Sequence, residues 1–135
     1  MLWGIGNVFR RCVIALLLAA MVLAAAAPAV AGQREIENDP PVLYLRAPEK
    51  NSVWDRTATM PITWTYMGAV GPWVKLVLFQ GRQPLLTIAG GVPSDDHAYR
   101  WRIPAELAPG GDYRIKIVSE RWAYVWDFSH EFTIR

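Results

Sequence analysis

The stretch YRWRIPAELAPGGDYRIKIVSE, residues 99–120, decides the fold. Apolar and charged residues alternate on both sides of a central segment, residues 104–111, that is rich in proline and glycine. A period of two is typical of a half-buried β-strand, whereas a helix would repeat about every 3.6 residues. We therefore predict two strands, over 97–103 and 112–119, joined by a turn. The side chains expected to face the core are Tyr99, Trp101, Ile103, Tyr113, Ile115 and Ile117.

The turn between these two strands has the spacing of a tyrosine corner. Leu107, Pro109 and Tyr113 stand at the positions that such a corner uses before a strand of an immunoglobulin-like sandwich. In it, the tyrosine hydroxyl bonds back to the main chain a few residues upstream. Gly110 and Gly111 supply the backbone freedom that the corner needs. The motif therefore favours a structural role for Tyr113.

The chain from residue 42 onward repeats this pattern in short apolar runs separated by glycine and proline, and none of these runs keeps a helical period. Seven short strands in about a hundred residues predict an all-β fold, an immunoglobulin/fibronectin-III-like two-sheet β-sandwich. The other five strands are predicted over 42–47, 60–67, 73–80, 84–89 and 126–135. On the last strand, the side chains expected to share one face are Phe128, His130, Phe132 and Ile134.

Residues 1–31 have the three parts of a secretory signal peptide: a basic start, an uninterrupted apolar run, and small residues at the end. We expect cleavage between Ala31 and Gly32. The alternative is an uncleaved membrane anchor, because the apolar run approaches the length that spans a bilayer. The predicted organisation is a signal peptide at 1–31, a flexible N-terminal arm at 32–41 and the sandwich domain at 42–135. We expect a secreted, periplasmic or cell-surface protein with no stable membrane anchor after cleavage.

Charge and cysteine content exclude several classes of protein. Of the 14 Lys and Arg, two lie within residues 1–31, and none of the 12 Asp and Glu does, so the chain from Gly32 has 12 charges of each sign and a net charge of zero. A neutral domain lacks the basic surplus that favours binding to nucleic acids or anionic membranes. The only cysteine, Cys12, lies in the predicted signal peptide, which excludes disulfides and cysteine metal sites from the domain. We expect no cofactor and no nucleic-acid partner.

A series of positions over residues 43–135 follows the pattern of a known family. The positions that carry the similarity are Pro48, Trp54, Ile62, Trp64, Val74, Leu76, Leu78, Ile88, Val92, Tyr99, Trp101, Ile103, Pro104, Leu107, Pro109, Gly110, Tyr113, Phe132 and Ile134. The chain resembles the immunoglobulin-like N-terminal domain of the Kre/Knh yeast cell-wall synthesis proteins and of the Ser/Thr-rich GPI-anchored family. Asn51 stands where the family usually has Gly, and asparagine tolerates the left-handed conformation.

The resemblance implies an immunoglobulin-like fold and a secreted or wall-attached protein. It implies no catalytic residues, since none are recognised in this module. Some members of the family are implicated in the assembly of β-1,6-glucan, and similar single domains occur in other secreted proteins. The resemblance therefore directs the functional question to the cell wall or envelope.

Aromatic residues are concentrated in SERWAYVWDF, residues 119–128. In an immunoglobulin-like sandwich, the loops after the second, fourth and sixth strands lie at one end, and here they are 68–73, 90–96 and 120–125. Exposed aromatic rings with polar neighbours fit a sugar ring or a protein partner. The alternative is that the rings extend the last two strands and pack on the sheet. The candidate ligand-binding residues are Trp73, Trp122, Tyr124 and Trp126, with Asp95, Asp96, Glu120 and Arg121 nearby. Core packing is expected for Trp54, Trp64, Trp101 and Tyr113.

Metal binding and catalysis have little support in the sequence. Asp95, Asp96 and His97 form one short loop cluster, and His130 lies far along the chain, whereas a zinc site needs three or four converging ligands. No serine lies in a nucleophile elbow. The carboxylates expected to be simple loop charges are Glu106, Asp112, Glu120 and Asp127. If strands five and six expose a common face, their outward cations form a basic stripe: Arg100, Arg102, Arg114 and Lys116. Such a stripe suits acidic sugars, or it is simply a solvated outer face that limits aggregation.

Two functions of different classes follow from these patterns. The first is an exported, non-catalytic immunoglobulin-like module that binds a cell-envelope or cell-wall polysaccharide through its aromatic end. The alternative is a structural or protein–protein interaction domain of the envelope or extracellular space, with an envelope protein as its partner. Exposed rings with polar neighbours would favour carbohydrate binding, whereas an open, uncharged edge strand would favour a protein partner.

Overall fold

The structure is a computed structural model that describes residues 39–135. The predicted signal peptide and most of the predicted N-terminal arm lie outside the described residues. Within these residues, the alternating runs form nine strands and one short 3-10 helix. The strands are β1 (Val42–Ala47), β2 (Val53–Trp54), β3 (Thr59–Met67), β4 (Trp73–Gln80), β5 (Gln83–Pro93), β6 (Ala98–Arg102), β7 (Gly110–Ser119), β8 (Trp126–Phe128) and β9 (Phe132–Ile134), and the 3-10 helix is Ser94–Asp96.

The strands form two sheets that enclose one core. One sheet has the order β1-β3-β6, and the other has the order β2-β9-β7-β4-β5, with β8 paired to β7 beside β9. All pairs are antiparallel except β2 with β9. This arrangement is a two-sheet immunoglobulin-like sandwich, so the predicted fold class is confirmed. The strand count differs, because the short β2 was not predicted and the predicted last strand is divided into β8 and β9.

Ser129 explains the division of the last strand. Its N–H donates to the carbonyl of Ile115 at 2.8 Å, and its Oγ accepts the N–H of Ile115 at 2.9 Å. The side chain thus replaces a main-chain partner of β7, and the regular ladder is interrupted. Across this interruption, Phe128 pairs with Lys116 on the outer face, while Phe132 pairs with Tyr113 on the inner face.

The prediction that four side chains of the last strand share one face is therefore wrong. Phe132 and Ile134 are buried in the core, Phe128 lies on the outer face of the sheet, and His130 is exposed. A strict period of two was assumed through residues 129–131, where the chain leaves the ladder.

The core lies between the two sheets and is built from the inward positions of the alternating strands. Its largest fully buried side chains are Trp64, Tyr113, Phe132, Met60 and Ile62. Trp64 is only 1% exposed, and its Nε1–H donates to the carbonyl of Ser94 at 3.0 Å. Trp101 is also buried, and Trp54 is half-buried and packs against the core. The four residues expected in the core therefore lie in it or against it.

The turn before β7 has the hydrogen bond of a tyrosine corner. The Tyr113 hydroxyl donates to the carbonyl of Ala108, five residues earlier. Burial, with a smaller contribution from the Asp112 carboxylate, raises the pKa of the Tyr113 hydroxyl above its ordinary value. Asn51 has a φ of 60°, so it occupies the left-handed conformation expected where the family pattern has glycine.

Candidate functional site

Three loops meet at one end of the sandwich, as the predicted strand order requires. Buried Ser119 connects two of them, since its Oγ donates to the carbonyl of Val70 at 2.6 Å and accepts the N–H of Trp122 at 3.0 Å. The Ser94 Oγ brings in the third loop by donating to the carbonyl of Gly71 at 2.7 Å. Trp122 adds a further connection, because its Nε1–H donates to the carbonyl of Ala69 at 3.1 Å. These bonds hold the three loops, residues 68–73, 90–96 and 120–125, in one arrangement, and we call this part of the domain the aromatic end.

Glu120 takes part in the same loop cluster. Its N–H donates to the carbonyl of Trp73 at 3.0 Å, and its Oε1 accepts the N–H of Gly91 at 3.0 Å. The carboxylate therefore connects β5 to the loop after β7. The prediction that Glu120 is a simple loop charge is wrong, because the sequence did not show that Gly91 lies across from it.

Close packing of two of these loops depends on Gly71. Its φ is 90°, and a β-carbon there would lie 2.7 Å from the Cβ of Arg121. Gly91 has a similar φ of 60°, but a β-carbon there would meet no atom within 4 Å. Both glycines thus have a backbone conformation that is unfavourable for other residues, but only Gly71 is also crowded by a neighbouring loop.

Gly71→Ala is expected to destabilise the domain more than Gly91→Ala. Each substitution places a side chain in the left-handed region, which costs about 1 to 2 kcal/mol. Gly71→Ala additionally forces the loop away from Arg121, which adds about 1 to 3 kcal/mol. Chemical denaturation of the two variants measures the difference, and equal losses of stability would contradict the proposed packing of the two loops.

The structure divides the four candidate aromatic residues into separate groups. Trp122 is half-buried and packs against the core, with its ring centroid 6.0 Å from that of Tyr124. Trp126 lies on β8, and its ring meets Phe128 edge-on at 5.5 Å. Trp73 begins β4 and has no aromatic ring partner among residues 39–135. Tyr124, Trp126 and Trp73 are 71%, 49% and 47% exposed, so each offers ring surface to a ligand.

The outer face of β4, β7 and β8 carries a second group of rings among positive charges. The Nζ of Lys116 lies 4.8 Å from the Trp126 ring centroid, and the Arg114 guanidinium lies 4.5 Å from that of Phe128. Phe79 on β4 meets Phe128 edge-on at 5.0 Å. We call this surface the basic aromatic face, defined by Lys75, Phe79, Arg114, Lys116, Trp126 and Phe128.

Sequence reasoning missed Phe79 and Phe128 as members of this surface. The alternation on β4 could have predicted Phe79, because Val74, Leu76 and Leu78 face inward and the odd-numbered residues of that strand must face outward. No local pattern could have predicted Phe128, because the interruption at Ser129 places it on the opposite face of the sheet from Phe132.

The predicted basic stripe does not form. Arg100 and Arg102 lie on β6, in the three-stranded sheet, whereas Arg114 and Lys116 lie on β7, in the other sheet. The outward side chains of two facing sheets point in opposite directions, so these two pairs cannot share a surface. The prediction failed because it assumed that consecutive strands belong to one sheet.

A polar cluster joins Tyr66 on β3 to residues at the end of the third loop. The Tyr66 ring stacks on His97 at 5.3 Å with an interplanar angle of 10°, and its hydroxyl donates to the Asp95 carboxylate. That hydrogen bond raises the pKa of Tyr66 above its ordinary value. Within residues 39–135, no group of three or more His, Cys, Asp or Glu side chains converges as metal ligands would.

Comparison with protein-family models identifies the domain. The model of the Kre9/KNH-like N-terminal Ig-like domain matches residues 47–134. The chain belongs to this family. The family resemblance found in the sequence is thereby confirmed. The Kre9/KNH family is related to the cell wall. A comparison with curated proteins gave no match. Over residues 39–135, no helix has the length and apolar character needed to cross a membrane.

Proposed function

We propose that this Kre9/KNH-like domain is an exported, non-catalytic module that binds a polysaccharide of the cell wall or envelope. The observation that carries the proposal is the exposure of Trp73, Tyr124 and Trp126, each with about half or more of its surface open to solvent. Large apolar rings are usually covered in a monomeric domain, and flat rings with polar neighbours suit stacking against sugar rings. Membership of a family related to the cell wall supports a polymer of that compartment as the ligand.

The roles of the carboxylates favour binding over catalysis. Glu120 accepts a main-chain N–H from Gly91, and Asp127 accepts one from Leu45 at 2.8 Å. Asp55 forms a salt bridge with Arg135 at 2.7 Å. A glycoside hydrolase needs two carboxyl groups facing each other across a cleft, one with a raised pKa. These three carboxylates instead stabilise the fold or its surface.

One observation favours a protein partner as the second candidate function. Among residues 39–135, strand β5 lies at the end of its sheet and pairs with β4 alone, and it has no charged residue between Gln83 and Pro93. An uncharged free edge is a template for pairing with another strand. However, its pairing with β4 has three register shifts, and Pro84 lacks an N–H. Both features weaken strand addition, so we rank carbohydrate binding first.

Retention on insoluble polysaccharides tests the proposed function. The purified exported chain is mixed with chitin, cellulose and insoluble β-glucan, and the bound fraction is measured for the wild type and for Trp122→Ala/Trp126→Ala. Each ring is expected to contribute about 1 kcal/mol through stacking, so the double variant should bind about tenfold more weakly or worse.

The matched control is Tyr44→Ala, which removes an exposed ring from β1 on the other sheet. This variant should bind as the wild type does. Because Trp122 also packs against the core, Trp126→Ala alone is measured beside it, with a thermal melt of each variant. Failure of the wild type to bind any polymer would argue for the protein-partner alternative, which crosslinking in the envelope then examines.

A further inference from the structure

The basic aromatic face suits a ligand that is both a sugar polymer and negatively charged. We infer that it binds an acidic polysaccharide, one whose sugar rings carry carboxylates. This inference rests on the proposed function and names the chemical class of its ligand. The observations that support it are the charges on the face, the position of the carboxylates near it, and the exposed Trp126 ring.

Three cations occupy the middle of the face with no acidic side chain among them. Cross-strand pairing places Lys75 opposite Val118, Lys116 opposite Val77, and Arg114 opposite Phe79. Directly opposite residues of two antiparallel strands point to the same face, so each cation lies beside apolar neighbours. Among residues 39–135 the structure shows one salt bridge, which joins Arg135 and Asp55 away from this face. Within this described part of the chain, the positive charges of the face form no salt bridge with a carboxylate.

The nearest carboxylates along the strands lie at the ends of the face or point away from it. Asp112 precedes Arg114 near the turn at Gly81, and Glu120 follows the end of β7, where it binds the Gly91 N–H. Asp127 lies between the two rings of β8, but its carboxylate binds the Leu45 N–H on the first strand. The central part of the face thus presents a local surplus of positive charge on a domain whose predicted mature form is neutral.

Two of the three cations, Lys116 and Arg114, lie over aromatic rings. Lys116 lies 4.8 Å from the Trp126 ring centroid and 5.8 Å from that of Phe128. Arg114 donates from Nη2 to the carbonyl of Gly81 at 2.8 Å, so its position is also fixed. Because Trp126 is 49% exposed, one sugar ring can stack on the indole while its carboxylate meets the Lys116 ammonium. A neutral sugar would stack on the same ring but would offer the Lys116 ammonium only hydroxyl acceptors, which bind it less strongly than a carboxylate.

The test compares two polymers whose main difference is the charge on their carboxyl groups. Polygalacturonate and its methyl-esterified form share one backbone, and esterification removes the carboxylate charge. We expect the wild-type chain to bind polygalacturonate about tenfold more tightly than the ester, because a charged hydrogen bond contributes about that factor. We also expect binding to weaken as salt is raised, since screening acts on exposed charges.

Lys116→Gln keeps most of the side-chain stem and removes its charge. We expect it to lower affinity for polygalacturonate about tenfold and to leave affinity for the ester unchanged. The matched control is Arg100→Gln, an exposed cation of β6 on the other sheet, which should change neither affinity. Lys75→Gln provides a second variant on the same face should Lys116→Gln melt at a lower temperature than the wild type.

Each contrary outcome has a distinct meaning. Equal binding of the two polymers, or equal effects of Lys116→Gln and Arg100→Gln, would overturn the inference and leave the proposed function intact. No binding of polygalacturonate would also overturn it, and retention on the neutral insoluble polymers then decides the proposed function separately. Tighter binding of a single-stranded oligothymidylate than of polygalacturonate would overturn it as well, because stacked rings and cations also suit nucleic acid.

Discussion

Trp64→Ala is expected to lower the free energy of unfolding by about 3 to 5 kcal/mol. The side chain is 1% exposed and lies in the core between the two sheets. Its removal leaves a large cavity, and it also leaves the buried carbonyl of Ser94 without its indole donor. Because that hydrogen bond holds the loop after β5, we expect the aromatic end to loosen along with the core.

Two further variants separate these contributions. Trp64→Phe retains an aromatic ring but loses the hydrogen bond to Ser94, so it should cost less than alanine. Trp126→Ala removes the same side chain from a half-exposed position and should cost about 1 kcal/mol. Urea denaturation of the three variants gives the comparison. Equal midpoints for Trp64→Ala and Trp126→Ala would show that the core has been placed wrongly.

Asp127→Ala is expected to lower the free energy of unfolding by about 1.5 to 3 kcal/mol, because a main-chain N–H loses a charged acceptor. The carboxylate accepts the N–H of Leu45 at 2.8 Å and so connects β8 to the first strand. This connection lies between Trp126 and Phe128, and we expect its loss to disorder both rings. The prediction from sequence that Asp127 is a simple loop charge is therefore wrong.

Asp127→Asn is the matched control, because its amide oxygen can still accept the Leu45 N–H. The weaker neutral acceptor should restore about half of the loss. Glu131→Ala removes an exposed carboxylate from the same part of the chain and should have little effect. Thermal melts and the exchange rate of the Leu45 amide hydrogen measure both consequences. An amide that exchanges equally fast in the wild type and in Asp127→Ala would contradict the connection.

Much of the fold could be predicted because burial follows a local pattern in this chain. Trp101, Tyr113 and Ile115 alternate with charged residues, and a strand buried on one face requires that alternation. The spacing from Leu107 to Tyr113 likewise predicted a corner whose hydrogen bond is formed inside one short segment. Such features depend on residues close in sequence, so the sequence alone contains the information.

The features that were missed depend on pairing between distant segments. Residues 126–135 continue an apparent period of two, yet the Ser129 hydroxyl takes the Ile115 N–H and interrupts the strand. Assignment of Arg102 and Arg114 to different sheets likewise follows from strand order, which no local pattern expresses. The carboxylates of Glu120 and Asp127 acquire their partners in the same way, from segments far along the chain.

The loop part of the candidate site could be predicted from the fold, whereas the position of Trp126 depends on pairing between distant segments. The meeting of three loops follows from the topology of the fold, and Trp122 and Tyr124 lie side by side on one of these loops. Trp126 instead belongs to the outer face of a sheet, beside Lys116. The resulting surface has two parts, an end formed by loops and a face formed by strands. A polymer long enough to contact both would reach Tyr124 on the first and Trp126 on the second.

Nuclear magnetic resonance of the indole N–H groups tests the central claim, that the exposed rings bind polysaccharide. The six tryptophans from residue 32 onward each give one indole signal, and a titration uses hexasaccharides prepared from whichever polymer retains the wild type. We predict that the signals of Trp126 and Trp73 shift with added sugar while those of Trp64 and Trp101 do not. Binding that leaves the signals of Trp126 and Trp73 unchanged would contradict this claim.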